Sequence, residues 1–258
     1  MVFAHNVSEH RVSELVLSEK EESLTRVTLN RPDKYNALND EMVEALSEAF
    51  TIAAQDGTRL LVIRANGKGF SGGFDFTGIE DQTDADLVLR FIRVETLLQQ
   101  VFHAPFATLS LVQGPCFGAA ADLVVASTHR IATPTAKFRM PGLMFGVVLG
   151  TQRLAQSLGS TKARHILETT RLFNASEAVE LGFIHNTAAE EDWPRIEQQR
   201  YQAATLLPIG AQQQMLVRTI RDTRDSDLAA LVRSVSEPGI KARIMEYVAE
   251  MHKQRKAK

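Results

Sequence analysis

The 258-residue chain carries 29 Lys and Arg against 31 Asp and Glu, a net charge of −2, with 44% hydrophobic residues. This balance is ordinary for a globular protein and argues against a nucleic-acid partner, because nucleic-acid-binding domains usually carry a basic excess. The first 30 residues lack the continuous apolar segment of a signal peptide, and no segment is long enough to span a bilayer. We therefore expect a cytoplasmic protein without a membrane partner.

The chain contains one cysteine, Cys116, so no disulfide can form within it. We expect Cys116 to be a small buried apolar residue rather than a nucleophile, because no histidine lies near it in a suggestive pattern. His, Cys, Asp and Glu do not gather at the spacing of metal ligands. The sequence therefore predicts no metal site.

Strands and helices alternate along the first 190 residues, and a helical region follows. Alternating polarity predicts a strand over 23–30, with buried strands recurring near residues 60, 106 and 129. Asn39 is the expected N-cap of an amphipathic helix over 40–55. The further predicted helices cover 84–103, 150–159 and 160–170, and the segment 116–127 is expected to begin with a glycine turn and continue as a helix. Strands are predicted over 129–133, 136–140 and 183–187. A helix is predicted from Asn174 to Gly182, and helices follow from 192 onward with breaks near Pro208 and Pro238. This order predicts an α/β core with a C-terminal helical extension.

The stretch RANGKGFSGGFDFTG, residues 64–78, is unusually rich in glycine. GKGFSG matches G-x-G-x-x-G as letters, but no long helix pattern follows it, and the Gly-Lys-Ser/Thr ending of a P-loop is absent. A second small-residue turn, over 118–121, also follows a predicted strand and opens a helix. Backbone N–H groups from the two turns could converge on one oxygen as an oxyanion hole, and close helix packing is the alternative.

Four segments resemble successive signatures of the crotonase family, also called the enoyl-CoA hydratase/isomerase family. They are LNRPDKYNALN, GKGFSGGFDF, VQGPCFGAAADLVVASTHRIA and FNASEAVELGFI, in that order. The resemblance, over roughly residues 12–190, implies a crotonase-like ββα superhelix with a C-terminal helical extension. It implies that 1–190 form the spiral core that binds an acyl-CoA thioester, and that 191–258 form a helical trimerisation region of a homotrimer or homohexamer. Coenzyme A would be part of the substrate and not a cofactor.

The resemblance also implies roles for individual residues. The N–H groups of Phe74 and Ala119 would bind the thioester oxygen, and Asp122 would be the catalytic carboxylate. Lys34 would approach the nucleotide part of coenzyme A, with Lys68 a weaker candidate. The other residues expected to contact the substrate are Ala37, Ser71, Gly72, Gly73, Asp75, Phe76, Pro115, Gly118, Pro141 and Gly142.

The sequence departs from the family in its acids. Hydratases of the family carry two carboxylates, and Asp122 matches one of them, where Glu is commoner. Gly142 stands where the second is expected, and no acid occurs from 139 to 150. Several isomerases of the family keep their sole acid at the position of Gly142 or about eight residues later, and this chain has none at either place.

Several explanations of this departure remain open. Asp122 acts alone, in a double-bond isomerase or an unusual hydratase, or Glu95 or Asp75 substitutes for the second acid. Otherwise the protein binds acyl-CoA with little catalysis, or it is a hydrolase or lyase in which Arg139 contacts a polar acyl group. Packing or a surface salt bridge is the alternative role for Arg139. The simplest expectation for Glu95 is a solvated helix residue, and for Asp75 a brace of the glycine-rich loop.

Overall fold

The computed structural model describes residues 7–11 and 13–256, with side chains over 13–254. Within these residues, ten strands form one large and one small sheet. The strands are β1 (Val7–Arg11), β2 (Val16–Glu21), β3 (Leu24–Leu29), β4 (Leu60–Ala65), β5 (Ala107–Val112), β6 (Pro115–Phe117), β7 (His129–Ala132), β8 (Lys137–Arg139), β9 (Phe173–Asn174) and β10 (Asn186–Thr187). The helices are α1 (Asp40–Gln55), α2 (Asp84–Phe102), α3 (Ala119–Ala126), α4 (Thr151–Leu158), α5 (Ser160–Thr169), α6 (Ala175–Leu181), α7 (Trp193–Leu206), α8 (Ile209–Arg218), α9 (Arg224–Val235) and α10 (Ile240–Lys256).

The large sheet has the strand order β1-β2-β3-β4-β5-β7-β10. Its first three strands are antiparallel, and the pairs from β3 to β10 are parallel. The strands predicted near residues 24, 60, 106 and 129 are thus neighbours in one sheet. The small sheet has the order β6-β8-β9 and lies beside the first turn of α3.

Capping side chains fix where several helices begin. The Asn39 side chain accepts a hydrogen bond from the Met42 N–H at the start of α1, and Asn174 does the same for Glu177 in α6. Both caps were predicted from the sequence. A capping box between Thr83 and the third residue of α2 was not predicted, although its side-chain types fit the pattern.

Alternate side chains of the central strands point to two cores. Leu61 and Ile63 of β4 pack with α1, α2 and α3, whereas Leu60 and Val62 pack on the opposite face with Trp193 and other α7 residues. The C-terminal helical region is therefore packed on the sheet through α7. Loops that leave the carboxyl ends of β4 and β5 bring the glycine-rich stretch and the second small-residue turn together.

The sequence interpretation missed the short or edge elements. Strands β1, β2, β6 and β9 were not predicted, nor was the break between α8 and α9, and the strand expected over 183–187 is reduced to Asn186–Thr187. Strands of two or three residues are too short to show a periodicity. In the described part of the chain, no helix combines the length and apolar character required to cross a membrane.

Candidate functional site

Asn36 organises the glycine-rich loop. This asparagine is fully buried and has a left-handed backbone, with φ of 48°. Its Oδ1 accepts a hydrogen bond from the Arg31 N–H at 2.7 Å. Its Nδ2 donates to three carbonyl oxygens of the loop, those of Asn66 (2.9 Å), Gly69 (3.3 Å) and Phe70 (3.1 Å). One side chain thereby fixes the path of the loop over 66–70.

Hydrogen bonds on both sides of Phe74 leave its own N–H free. The Leu38 N–H donates to the Gly73 carbonyl at 2.8 Å, and the Asp75 N–H donates to the Leu38 carbonyl at 3.2 Å. Among the described residues, the Phe74 N–H has no acceptor. The Phe74 ring stacks on Phe91 of α2 with 4.3 Å between ring centroids, so the peptide unit before this ring is held in place.

Asp75 braces the loop, as expected, and is not a free acid. Its Oδ2 accepts a hydrogen bond from Arg31 at 2.5 Å, and its Oδ1 accepts one from the Thr77 N–H at 2.9 Å. Burial alone would raise the pKa of Asp75, but the hydrogen bonds from Arg31 and Thr77 outweigh burial and lower it. Arg90 of α2 also donates to the Asp75 carbonyl at 2.9 Å. Phe76 follows and contacts the rings of Phe145 and Tyr247.

The second small-residue turn lies directly against this loop. The Ser71 N–H donates to the Pro115 carbonyl at 3.3 Å, and the Phe117 N–H donates to the Ser71 carbonyl at 3.0 Å. A Cβ built on Gly73 would overlap the Phe117 carbonyl and lie 3.3 Å from the Ala119 nitrogen. Ala119 is the first residue of α3, and its N–H also lacks an acceptor in the described structure. The two unpaired N–H groups therefore belong to loops in direct contact.

The segment that contains Pro141 and Gly142 borders the same turn. Gly118 has φ of 52°, and its N–H donates to the Arg139 carbonyl at 2.8 Å. A Cβ on Gly118 would lie 3.9 Å from Pro141 Cδ. The Arg139 side chain instead donates to the Thr170 carbonyl at 2.7 Å, in agreement with the packing role that was the alternative to an acyl contact.

The Asp122 carboxylate is buried beside the beginning of α4. Asp122 is 6% exposed and lies about one helical turn after Ala119. A Cβ on Gly150 would overlap Oδ1 and lie 2.8 Å from the Asp122 Cγ. Within the described structure, no hydrogen bond to this carboxylate occurs. Burial raises the pKa of Asp122 to about 8, with the negative Glu95 adding to the rise and the positive Arg153 opposing it.

Glu95 is not a solvated helix residue, and that expectation was wrong. It is fully buried, and its two oxygens accept hydrogen bonds from both terminal nitrogens of Arg153 in α4, at 2.8 and 2.5 Å. Asp227 of α9 accepts a third bond from Arg153 at 3.2 Å. The reason for the error is distance along the chain, since the arginine that makes burial of Glu95 possible is 58 residues away.

Most of the expected site residues come together. Ser71, Gly72, Gly73, Phe74, Pro115, Gly118, Ala119 and Pro141 lie on the touching loops, Asp75 and Phe76 follow Phe74, Asp122 follows Ala119, and Gly142 follows Pro141. Lys34 and Ala37 lie on the adjoining turn, which is joined to the loop by a hydrogen bond from the Gly72 N–H to the Tyr35 carbonyl at 2.8 Å. Lys34 is exposed, and Ala37 is half-buried.

The sequence interpretation missed the residues that hold these loops. Asn36 lies within a recognised motif, and that motif was the one signal that could have found it. Arg31 lies in the same motif, whereas Arg90 and Arg153 gave no signal because their partners are distant in sequence. The residues missed are Arg31, Asn36, Arg90, Gly150 and Arg153. No cluster of His, Cys, Asp and Glu that could hold a metal ion occurs among the described residues.

Comparison with known proteins gives the family of the chain. Residues 19–236 match the enoyl-CoA hydratase/isomerase family. A trans-2-decenoyl-[acyl-carrier-protein] isomerase from Streptococcus mutans is 30% identical over 189 residues, 70% of this chain and 72% of that protein. An enoyl-CoA isomerase/hydratase from Mycosarcoma maydis is 28% identical over 175 residues, 63% of this chain and 64% of that protein.

Solved structures agree with this match. A Bordetella parapertussis protein assigned as an enoyl-CoA hydratase/isomerase has 43% identity and a TM-score of 0.90, over 92% of this chain and 99% of that one. An enoyl-CoA hydratase from Bacillus halodurans, 20% identical with a TM-score of 0.78 over 90% and 99% of the two chains, shares the fold. The chain therefore belongs to the enoyl-CoA hydratase/isomerase family, also called the crotonase family, and is an enzyme of that kind.

Proposed function

We propose that the protein is an enoyl-thioester isomerase in which Asp122 alone carries the proton. The observation that supports this proposal is the state of the buried carboxylates around the two loops in the described structure. Asp75, Glu95 and Asp227 each accept hydrogen bonds from an arginine, whereas Asp122 accepts none. Asp122 is therefore the buried acid whose oxygens are available to a substrate.

In the proposed reaction, ionised Asp122 removes a proton from C2 of a 3-enoyl thioester. The electron pair of that C–H bond moves to the thioester oxygen and forms a dienolate. Protonated Asp122 then returns the proton to C4, and the double bond moves to C2–C3 with no net gain or loss of atoms. A pKa of about 8 suits a group that must both accept and donate a proton near neutral pH.

The N–H groups of Phe74 and Ala119 are proposed to bind the thioester oxygen while it carries this charge. Their lack of other acceptors in the described structure and the contact between Gly73 and Ala119 support the assignment. Loss of one donor of this kind typically costs about 3–4 kcal/mol of transition-state stabilisation. The same proposal explains Gly73, because a side chain at this position would overlap the Phe117 carbonyl and force the two N–H groups apart.

One available carboxylate favours isomerisation over hydration. Hydration requires a base for the attacking water and an acid for C2, and Gly142 supplies no second carboxylate. The Streptococcus mutans relative is named as an isomerase, which is consistent with this choice.

We propose coenzyme A as the thiol of the substrate, with the exposed Lys34 near its phosphates. We also propose that residues 191–258 form trimer contacts, supported by exposed apolar side chains at Leu206, Ile209, Met215 and Val217.

The test is turnover of 3-enoyl- and 2-enoyl-CoA thioesters in D₂O, followed by NMR. We expect the double bond to shift with deuterium exchange in the wild type, and Asp122→Asn to lose roughly 10²–10⁴-fold in rate. Asp225→Asn, at an exposed aspartate of α9, is the control and should keep the wild-type rate. A 3-hydroxyacyl product would assign a hydratase instead, and free CoA a hydrolase. Binding of thioesters without any turnover would replace the proposal with a binding protein.

A further inference from the structure

A buried ionic cluster lies behind Asp122 and joins three helices. Glu95 of α2, Arg153 of α4 and Asp227 of α9 are 0%, 2% and 8% exposed. Both oxygens of Glu95 are engaged by Arg153, and Gln99 adds a hydrogen bond to Glu95 Oε1 at 2.9 Å. Thr223 donates to Asp227 at 2.8 Å. The cluster is therefore a fixed arrangement whose charges are held away from water.

Stability alone does not explain this cluster. Ions lose their hydration on burial, and replacing a buried ion pair by apolar side chains of similar volume is often neutral or stabilising. The Nε of Arg153 is moreover buried with no hydrogen-bond partner in the described structure. A buried donor without an acceptor lowers the stability of the folded state. The cluster lies beside Asp122, the proposed proton carrier, and we therefore consider how its charges act on the Asp122 carboxylate.

Arg153 is the cation that acts on Asp122. Gly150, which lies against the Asp122 carboxylate, is the N-cap of α4, and Arg153 is in the first turn of that helix. The other ionisable group that acts directly on Asp122 is Glu95 from α2. The Asp122 charge in turn raises the pKa of the Cys116 thiol in β6, after the larger effect of burial. Asp227 reaches Asp122 only through Arg153. Because this region excludes water, charges here are weakly screened.

Glu95 and Arg153 therefore have opposite effects on Asp122. The guanidinium favours the ionised carboxylate and the Glu95 charge disfavours it, as their contributions to the Asp122 pKa show. The Glu95 oxygens also occupy both Nη groups of Arg153. Without Glu95, these donors would be free to turn toward the one nearby carboxylate that accepts no hydrogen bond.

We propose that Glu95 is a positioning residue for the proton transfer. By holding both Nη groups of Arg153, it keeps this cation from pairing with Asp122 and leaves the Asp122 carboxylate able to exchange its proton with the substrate. The inference rests on the proposed role of Asp122. Glu95 itself touches no substrate and acts through Arg153.

The experiment measures the ionisation of Asp122 directly. Protein labelled with ¹³C at the aspartate carboxyls is titrated by NMR, and the Asp122 signal is identified by its loss in Asp122→Asn. Glu95→Gln should lower the Asp122 titration midpoint by at least about one pH unit relative to wild type. The pH dependence of kcat/KM for the isomerase reaction should move in the same direction, with a lower maximal rate.

Asp227→Asn is the matched control, because it removes a carboxylate from the same guanidinium without freeing the Nη groups from Glu95. Its Asp122 midpoint should stay within about 0.3 pH unit of wild type. Glu95→Gln combined with Arg153→Met removes both opposing charges and should return the midpoint toward the wild-type value. If Glu95→Gln does not fold, Glu95→Asp, which retains the charge but cannot reach both Nη groups, should show a smaller shift of the same sign.

An Asp122 midpoint that is unchanged or raised in these Glu95 variants would overturn the proposal, as would an equal shift in Asp227→Asn. The NMR measurement does not depend on turnover, so the two ideas can fail separately. A lowered midpoint in a protein that isomerises no thioester would refute the proposed function and leave the control of Asp122 by Glu95 standing.

Discussion

The Asp122 carboxylate occupies the space that a side chain at Gly150 would fill. A Cβ on residue 150 would overlap Oδ1 and lie 2.8 Å from Cγ. Gly150 is eight residues after Gly142, so the carboxylate supplied by α3 lies where the chain around 139–150 supplies none. A side chain at position 150 would displace the Asp122 carboxylate, so glycine at this position accommodates the one acid that the site contains.

Gly150→Ala should displace this carboxylate. We expect kcat/KM to fall by about 100-fold, because misplacement of a reacting group by about 1 Å has an effect of that size. The left-handed backbone at Gly150, with φ of 65°, should add about 1 kcal/mol of destabilisation. Gly182→Ala is the control, since Gly182 has φ of 80° and no atom within 4 Å of a built Cβ. Equal losses of kcat/KM in both variants would contradict the position that we assign to the Asp122 carboxylate.

Gly73→Ala should separate the two loops, whereas Gly72→Ala should not. A Cβ at Gly73 would overlap the Phe117 carbonyl, but at Gly72 its nearest neighbours are atoms of Tyr35 at 3.8 Å. If the Phe74 and Ala119 N–H groups bind the thioester oxygen, Gly73→Ala should lower kcat by about 10²–10³-fold. Steady-state kinetics with thermal unfolding would check both variants, and a folded Gly73→Ala enzyme with a wild-type rate would count against the oxyanion assignment.

Asp122→Asn should be more stable than the wild type above neutral pH. The folded pKa of about 8 is higher than the ordinary 3.8, so between these values the folded state holds a proton that the unfolded state has released. Wild-type stability therefore falls as pH rises through this window. Asparagine cannot ionise, so its advantage in unfolding free energy should grow from pH 4 to pH 8 to at least about 1.4 kcal/mol.

Urea unfolding of both proteins across this pH range measures the advantage. Asp225→Asn provides the baseline, since an exposed aspartate should give a small difference that hardly varies with pH. A difference between Asp122→Asn and wild type that stays constant with pH would argue against a neutral, buried Asp122.

Asn36→Ala should destabilise the glycine-rich loop strongly. The variant loses the three hydrogen bonds that Nδ2 donates and the one that Oδ1 accepts from the Arg31 N–H, and it leaves carbonyl oxygens of the loop unpaired. At about 1 kcal/mol for each of the four bonds, the loss in unfolding free energy should be about 4 kcal/mol. Asn66→Ala removes a single hydrogen bond, from an exposed residue to Asn30, and should lose less than about 1 kcal/mol. Denaturant midpoints that are the same for the two variants would show that Asn36 does not organise the loop.

Cys116 should be unreactive in the folded protein. The residue is fully buried, and burial, with a smaller contribution from the Asp122 charge, raises the pKa of its thiol well above the ordinary value. The thiolate is the reactive form, so a disulfide reagent should label the chain only after unfolding in urea. Rapid labelling under native conditions would contradict this picture of the core behind the site.

Local patterns were sufficient for the long elements of the core and for the turns that carry the candidate site. Helix α1 begins and ends where its cap and periodicity predict, and α6 has the expected caps, Asn174 before its first residue and Gly182 after its last. The motifs contain Phe74 in the glycine-rich loop and Ala119 and Asp122 in the first turn of α3, which the structure brings together. The roles of these three residues stay predictions until the kinetic tests are made.

The family, the α/β class and the turns that carry the candidate site follow from the amino-acid sequence, since glycine, proline and capping side chains act over a few residues. The surroundings of Asp122, in contrast, depend on the tertiary structure. Glu95 has the sequence features of a solvated helix residue, yet it is buried because Arg153 reaches it from a helix 58 residues away. The ionisation of buried groups depends on charges and solvent exclusion from distant elements, and no local pattern in the sequence records these.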